Sequence, residues 1–171
     1  FVGKPRFNSI YNFIDVVCSE FPNHTFEIYG GPIEEEFNEL RKYSNCHFHG
    51  FFKNPDDLPQ IYSKIDLVIA TYDTEYENVR YAEPNKIYEA IYFDTPILVS
   101  TNTFLAEKVE KLDIGFDIDP LNRNQIVEFV NTLSIDSINK KKESISLIDK
   151  YETLNYNQDF FKLLNKKIEN N

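Results

Sequence analysis

Methionine and tryptophan are absent from this chain, and its 171 residues include only five glycines and two cysteines. A first residue, Phe1, that already reads as strand, with no methionine anywhere, leads us to expect a piece of a longer protein whose amino-terminal partner domain is missing. The two cysteines are too few for a disulfide framework. Cys18 falls on a predicted helix face with Val17 and Phe21, Cys46 falls elsewhere, and we read both as thiols in a reducing cytoplasm. Sparse glycine leaves no GxGxxG after the first strand and no phosphate-binding loop ending in Gly-Lys-Ser/Thr, which argues against dinucleotide-dependent dehydrogenases and loop NTPases. No Ser-His-Asp or Cys-His arrangement suggests a hydrolase. The acidic pair that a response-regulator receiver carries after its first strand is replaced by Gly3-Lys4-Pro5-Arg6. No apolar run approaches the ~20 residues of a membrane-spanning helix. Positive charge is also short, with 18 Lys and Arg against 28 Asp and Glu and a net charge of −10. Long nucleic acids need a basic face, so they are excluded as partners, whereas a small anion requires only a few converging cations. His47 and His49 beside Cys46 are too few ligands for a metal site, and no metal is expected.

What is present is a globular composition, 42% apolar and 15% aromatic, enough for a substantial core. Short apolar runs at 1–4, 25–29, 47–51, 66–71, 96–101 and 115–118 read as strands. Helical spacing at 9–20, 34–43, 56–63, 84–93, 103–111 and 122–133 fills the intervals. The run at 66–71 is continuously apolar, as a strand inside a parallel sheet should be. The alternation predicts a Rossmann-like, doubly wound parallel α/β sheet of about six strands flanked by helices. Residues 1–135 form this domain. Residues 136–171 form a lysine-rich helical tail with helices at 136–152 and 157–168, and 134–142 reads as a linker.

Such sheets bind ligands at the carboxyl ends of their strands. Lys4, Gly30-Gly31, Phe51-Phe52, the loop 72–82 and Asn102 all fall there. The most informative segment is 83–101. Pro84 suits a first helical turn, and Asn85 and Lys86 then lie where free N–H groups and the helix dipole favour an anion. A solvated lysine is the plainer reading of Lys86, but a cation in a first turn opposes the dipole, and a bound anion accounts for that misfit. Glu89, three residues on, is either an ion-pair partner for Lys86 or an acceptor for ribose hydroxyls. Arg80 is a loop arginine, solvated or functional. Lys4 and Arg6 follow the first strand and can reach a pyrophosphate, the arginine bidentately.

The run Arg80-Tyr-Ala-Glu-Pro-Asn-Lys-Ile-Tyr-Glu-Ala followed by Thr95-Pro96-Ile97-Leu98-Val99-Ser100 resembles the donor-site signature of GT-B glycosyltransferases, notably bacterial surface-polysaccharide members. The likeness covers residues 1–133, including Phe48-His49-Gly50-Phe51, Asp57-Leu58-Pro59 and Ile65-Asp66-Leu67. The resemblance implies a carboxy-terminal donor-binding domain for a UDP-, GDP- or TDP-linked sugar, acting on a glycan or lipid-linked acceptor held largely by the missing amino-terminal domain. It implies that Arg6 and Lys86, at the Pro84-Asn85-Lys86 turn, hold the diphosphate, with Arg80 near it or near the sugar. Glu89 takes the ribose, and the backbone at 50–52, Phe51 included, lies beside the base. No cofactor or metal is implied, and no residue is assigned a catalytic role. Many relatives carry a second glutamate eight residues before the ribose glutamate. Tyr81 stands there in this chain, and Glu83 is displaced by two. The isolated domain is expected to bind nucleotide without turnover. The full-length protein is expected in the cytoplasm or peripherally at the inner membrane face. A nucleotide-sugar epimerase of the same fold, or a non-catalytic interaction domain, are the alternatives.

Overall fold

The computed structural model describes residues 1–151, so the tail helix expected at 157–168 lies outside the described residues. Helices and strands alternate in the order α1 Asn8–Glu20, β1 Phe26–Tyr29, a 3-10 helix Glu35–Lys42, β2 Cys46–Gly50, α2 Leu58–Tyr62 and β3 Val68–Ala70. They continue with α3 Glu77–Arg80, α4 Lys86–Tyr92, β4 Ile97–Ser100, α5 Phe104–Leu112, β5 Gly115–Ile118, α6 Arg123–Thr132 and α7 Ile135–Ser146. Every strand pairing is parallel. β1 pairs with β2, and β4 lies between β3 and β5.

Successive strand residues point to opposite faces, and two cores follow from that period. Ile69 of β3 and Leu98 of β4 join Ile10, Phe13 and Ile14 of α1, Phe37 and Leu40 of the 3-10 helix, and Ile126 and Val130 of α6. Val68 and Ala70, with Ile97 and Val99, face the other way onto Leu58 and Ile61 of α2, Ile87 and Ile91 of α4, Leu105 and Val109 of α5, and Ile145 of α7. Helices thus cover both faces, which is the doubly wound α/β arrangement expected. The chain start follows the same alternation, with Phe1 in the first core and Val2 in the second.

Several local expectations change. The first strand is reduced to a single bridge from Val2 to Tyr29. Gly3 turns the backbone to φ +131° and Pro5 offers no N–H, so no ladder can continue. The helix expected at 34–43 is 3-10, a geometry that eclipses residues three apart and so aligns Phe37 with Leu40, both fully buried. The loop at 72–82 contains the one-turn helix α3. No linker occupies 134–142, because Ser134 caps α7 in a capping box with Ser137. Cys18 and Cys46, read as unrelated, are free thiols that meet in the first core, where a hydrogen bond to Cys46 pushes the Cys18 thiol up. Among the described residues no helix is long and apolar enough to cross a membrane.

Leu98 is fully buried at the centre of β4, whereas Leu147 is 87% exposed. Leu98→Ala is expected to lower unfolding stability by about 2–5 kcal/mol. Leu147→Ala should fall within about 0.5 kcal/mol of wild type. Urea denaturation midpoints at constant slope measure both.

Candidate functional site

Within the β1–β2 sheet and within the β3–β4–β5 sheet the strands run in one direction, so in each the carboxyl ends share an edge. Backbone bonds draw three of these ends together: Tyr29 N–H to the Phe1 carbonyl at 2.9 Å, Gly3 N–H to the Tyr29 carbonyl at 2.7 Å, and Gly30 N–H to the Gly50 carbonyl at 2.6 Å. Approach is so close that a Cβ on Gly30, itself at φ +131°, would stand 2.1 Å from the Gly3 carbonyl oxygen. Only glycine fits there.

Lys86, the first residue of α4, bends down onto this junction. Its Nζ lies 3.0 Å from where a Cβ of Gly3 would be and 5.0 Å from the centre of the Phe1 ring. Among the described residues it has neither a hydrogen-bond acceptor nor a carboxylate within ion-pair distance. Burial holds its ammonium below the usual lysine range. Glu89 pulls the other way, and Arg6 adds to the depression. Arg6 and Glu89 are therefore electrostatic neighbours of Lys86. Both also act on Tyr72, whose phenol is pushed up to about 12, chiefly by burial, with Glu89 raising and Arg6 lowering it. Tyr72 is fixed in place by a two-way bridge with Ser100, 2.8 Å in each direction, and by its edge contact with Phe7 at 5.2 Å. Two cations, one carboxylate and one phenol thus form a single electrostatic group at the edge.

The starts of α1 and α4 differ in how their N–H groups are used. At α1 the carboxylate of Asp73 accepts from Asn8 N–H at 3.1 Å and Ser9 N–H at 2.7 Å. An acid from the loop after β3 thus fills that anion position from within the chain. At α4 the capping residue Asn85 makes no side-chain cap bond. Pro84 stands just before the helix instead of inside its first turn; its carbonyl still accepts from Ile87 N–H at 3.3 Å.

The other expected residues are distributed as follows. Lys4 pairs with Glu34, the residue before the 3-10 helix, at 3.1 Å. Arg6 is exposed, with its guanidinium 5.1 Å from the Phe7 ring centre. Phe51 is 80% exposed and lies over Gly31, where an added Cβ would be 3.4 Å from the ring. Arg80 ends α3, exposed and without an ion pair among the described residues. Glu83 is committed elsewhere, to Lys108 at 2.5 Å and to the Tyr88 hydroxyl. Glu89 takes a hydrogen bond from Tyr62 and borders an open cleft of about 630 Å³ between α2 and α4, lined also by Pro59, Tyr88, Tyr92 and Phe93. A second cavity, about 450 Å³ and lined by Phe26, Leu67, Phe129 and Ile138, contains none of the expected residues. Tyr62, Tyr72 and Asp73 escaped the reading of the sequence. For Tyr62 a signal existed, since a tyrosine on a predicted core face requires a partner for its hydroxyl.

The architecture is that of a Rossmann-like α/β domain of GT-B type. Residues 5–136 match the family described as glycosyl transferases group 1, and the chain belongs to that family. No curated protein matches the sequence significantly. Anabaena HepE (Alr3699), solved in complex with UDP and glucose, is 20% identical over 96% of this chain and 47% of its own, with a TM-score of 0.66. WaaG, a glycosyltransferase involved in lipopolysaccharide biosynthesis, is 17% identical over 88% of this chain and 43% of its own, with a TM-score of 0.62. The C-terminal domain of the group 1 protein LpcC from Francisella tularensis is 16% identical, covers 88% of this chain and 82% of that domain, and has a TM-score of 0.64. The chain thus spans less than half of HepE and of WaaG but most of the isolated LpcC domain.

Removing the Asp73 carboxylate should expose the start of α1. Asp73→Ala is expected to cost about 1–2 kcal/mol, with Asp73→Asn losing less. Chemical denaturation of the two variants beside wild type checks the order.

Proposed function

We propose that this chain is the nucleotide-sugar donor-binding domain of a glycosyltransferase. The carrying observation is the Lys86 ammonium, partly withdrawn from water against the Gly3 backbone without a counter-charge among the described residues. Burying an unpaired cation is costly, and a bound diphosphate removes that cost. In this reading Lys86 and Arg6 receive the two phosphates, Glu89 accepts the ribose hydroxyls, and the base lies against Phe51 and the 50–52 backbone. Arg80 is left for the sugar end. Tyr72, whose phenol feels both Arg6 and Glu89, belongs to the same charged group. HepE, solved with UDP and with UDP-glucose, supports a nucleotide-sugar ligand in this fold.

Transfer breaks the bond from the anomeric carbon to the diphosphate oxygen and forms one to an acceptor hydroxyl, whose proton is lost. The diphosphate leaves with an added negative charge. Lys86 and Arg6 stabilise that charge where it develops, which is the electrostatic form of catalysis. In this reading the two cations do the work without a metal. The acceptor side belongs largely to an amino-terminal domain, and turnover to the cleft between the two domains. The WaaG likeness supports an envelope glycan or lipid-linked acceptor, and a cytoplasmic or inner-face location fits such a role.

Titration calorimetry with UDP and uridine tests the assignment. Lys86→Ala is expected to weaken UDP by roughly 1–3 kcal/mol, the worth of a hydrogen bond to a charged group, and to leave uridine nearly unchanged. Equal losses for both ligands, or no binding of UDP, GDP or TDP to the folded wild-type chain at millimolar concentration, would overturn it.

A further inference from the structure

Resting on the donor-site reading above, we propose that Tyr62 is a positioning residue that holds Glu89 away from Lys86 and aims it at the ribose. Tyr62 lies in α2, only 3% exposed, and its hydroxyl donates to Glu89 Oε2 at 2.7 Å. Its ring stacks on Phe93 at 4.7 Å and 19°. Glu89 and Phe93 are four residues apart, one turn of helix, so one tyrosine grips both positions. Leu58 and Ile61 of α2 share the second core with Ile87 and Ile91 of α4, and aliphatic packing of that kind fixes no direction for a carboxylate.

Two consequences follow from the single bond. Glu89 Oε1 makes no hydrogen bond among the described residues, so one oxygen is held and the other is left to accept from a hydroxyl. Lys86 lies three residues before Glu89, a spacing at which helical acid–base pairs ordinarily close. It is already an electrostatic neighbour, yet no ion pair forms between them. The Tyr62 bond on Oε2 keeps the carboxylate from swinging across. It thereby preserves Lys86 for the diphosphate as well as Glu89 for the sugar. Losing the hydroxyl would let Glu89 and Lys86 neutralise each other, damaging both ends of the nucleotide site at once.

The test measures affinities of the 171-residue chain for UDP and for 2′-deoxyuridine diphosphate, with wild type, Tyr62→Phe and Phe93→Leu. Wild type is expected to prefer the ribose form by at least roughly tenfold, as one hydrogen bond to a charged group provides. Tyr62→Phe should bring that ratio close to one and weaken UDP, while uridine falls less. Phe93→Leu, which loses the stack but keeps an apolar filling, should lower the ratio by a smaller factor. If Tyr62→Phe does not fold, Phe93→Leu decides. An unchanged ratio in a folded variant overturns the proposal, since a purely structural tyrosine would alter stability without touching ribose discrimination. Wild-type UDP binding without ribose preference overturns the Tyr62–Glu89 assignment alone. Failure of wild type to bind UDP overturns the donor-site reading with it.

Discussion

A lysine ammonium resting on the Gly3 backbone, with no carboxylate at ion-pair distance among the described residues, is the constraint around which this edge is organised. It depends on glycine at position 3, whose φ of +131° disfavours a side chain and where a Cβ would stand 3.0 Å from Nζ and crowd it. It depends on the close approach of Gly30 to Gly3, which brings the strand ends together beneath it. It depends on Glu89 being occupied by Tyr62. Together these features leave Lys86 without a counter-charge among the described residues, at an edge suited to a doubly charged ligand.

The contrast between α1 and α4 sharpens this. Both helices follow strands of a parallel sheet, and both begin at the ligand edge. At α1 the anion position is closed by Asp73, a group 65 residues away from Asn8 in sequence. That carboxylate ties the loop after β3 to the first helix, and the adjoining Tyr72–Ser100 bridge ties the same loop to the end of β4. The loop is thereby a structural clasp at its start. Lys4 is likewise matched by a carboxylate of its own, that of Glu34. Of the cations at the sequence's strand ends, Lys86 and Arg6 are the ones brought into a shared field with Glu89.

The fold was largely legible because its signals are local. Continuous apolar runs marked β3 and β4, helical spacing marked α1, α5 and α6, and their alternation implied the doubly wound layers. The boundaries of these elements moved by a residue or two, as helix ends usually do, whereas the tail helix expected at 136–152 ends at Ser146. The first strand failed for a reason also visible in the sequence, Gly3 and Pro5 together, which propensity alone underweights. Within the site, Lys86, Glu89 and Arg6 were readable from strand ends and a helix start. Asp73 and Tyr62 were not, because their roles rest on partners 64 and 27 residues away. The meeting of Cys18 with Cys46 is of the same kind: no spacing announces it, since α1 and β2 are brought together only by packing on a shared core.

The account turns on the charge state and partner of one amine, and that amine can be observed. Titrating the Lys86 side-chain resonance by heteronuclear NMR, without ligand and with saturating UDP, measures it directly. The account predicts an ammonium that deprotonates below the ordinary lysine value of 10.5 in the free chain, because burial disfavours its charge. UDP, by supplying the missing counter-charge, should move that pKa upward. A lysine that titrates normally in the free chain, or whose pKa is unmoved when UDP saturates the protein, would contradict it.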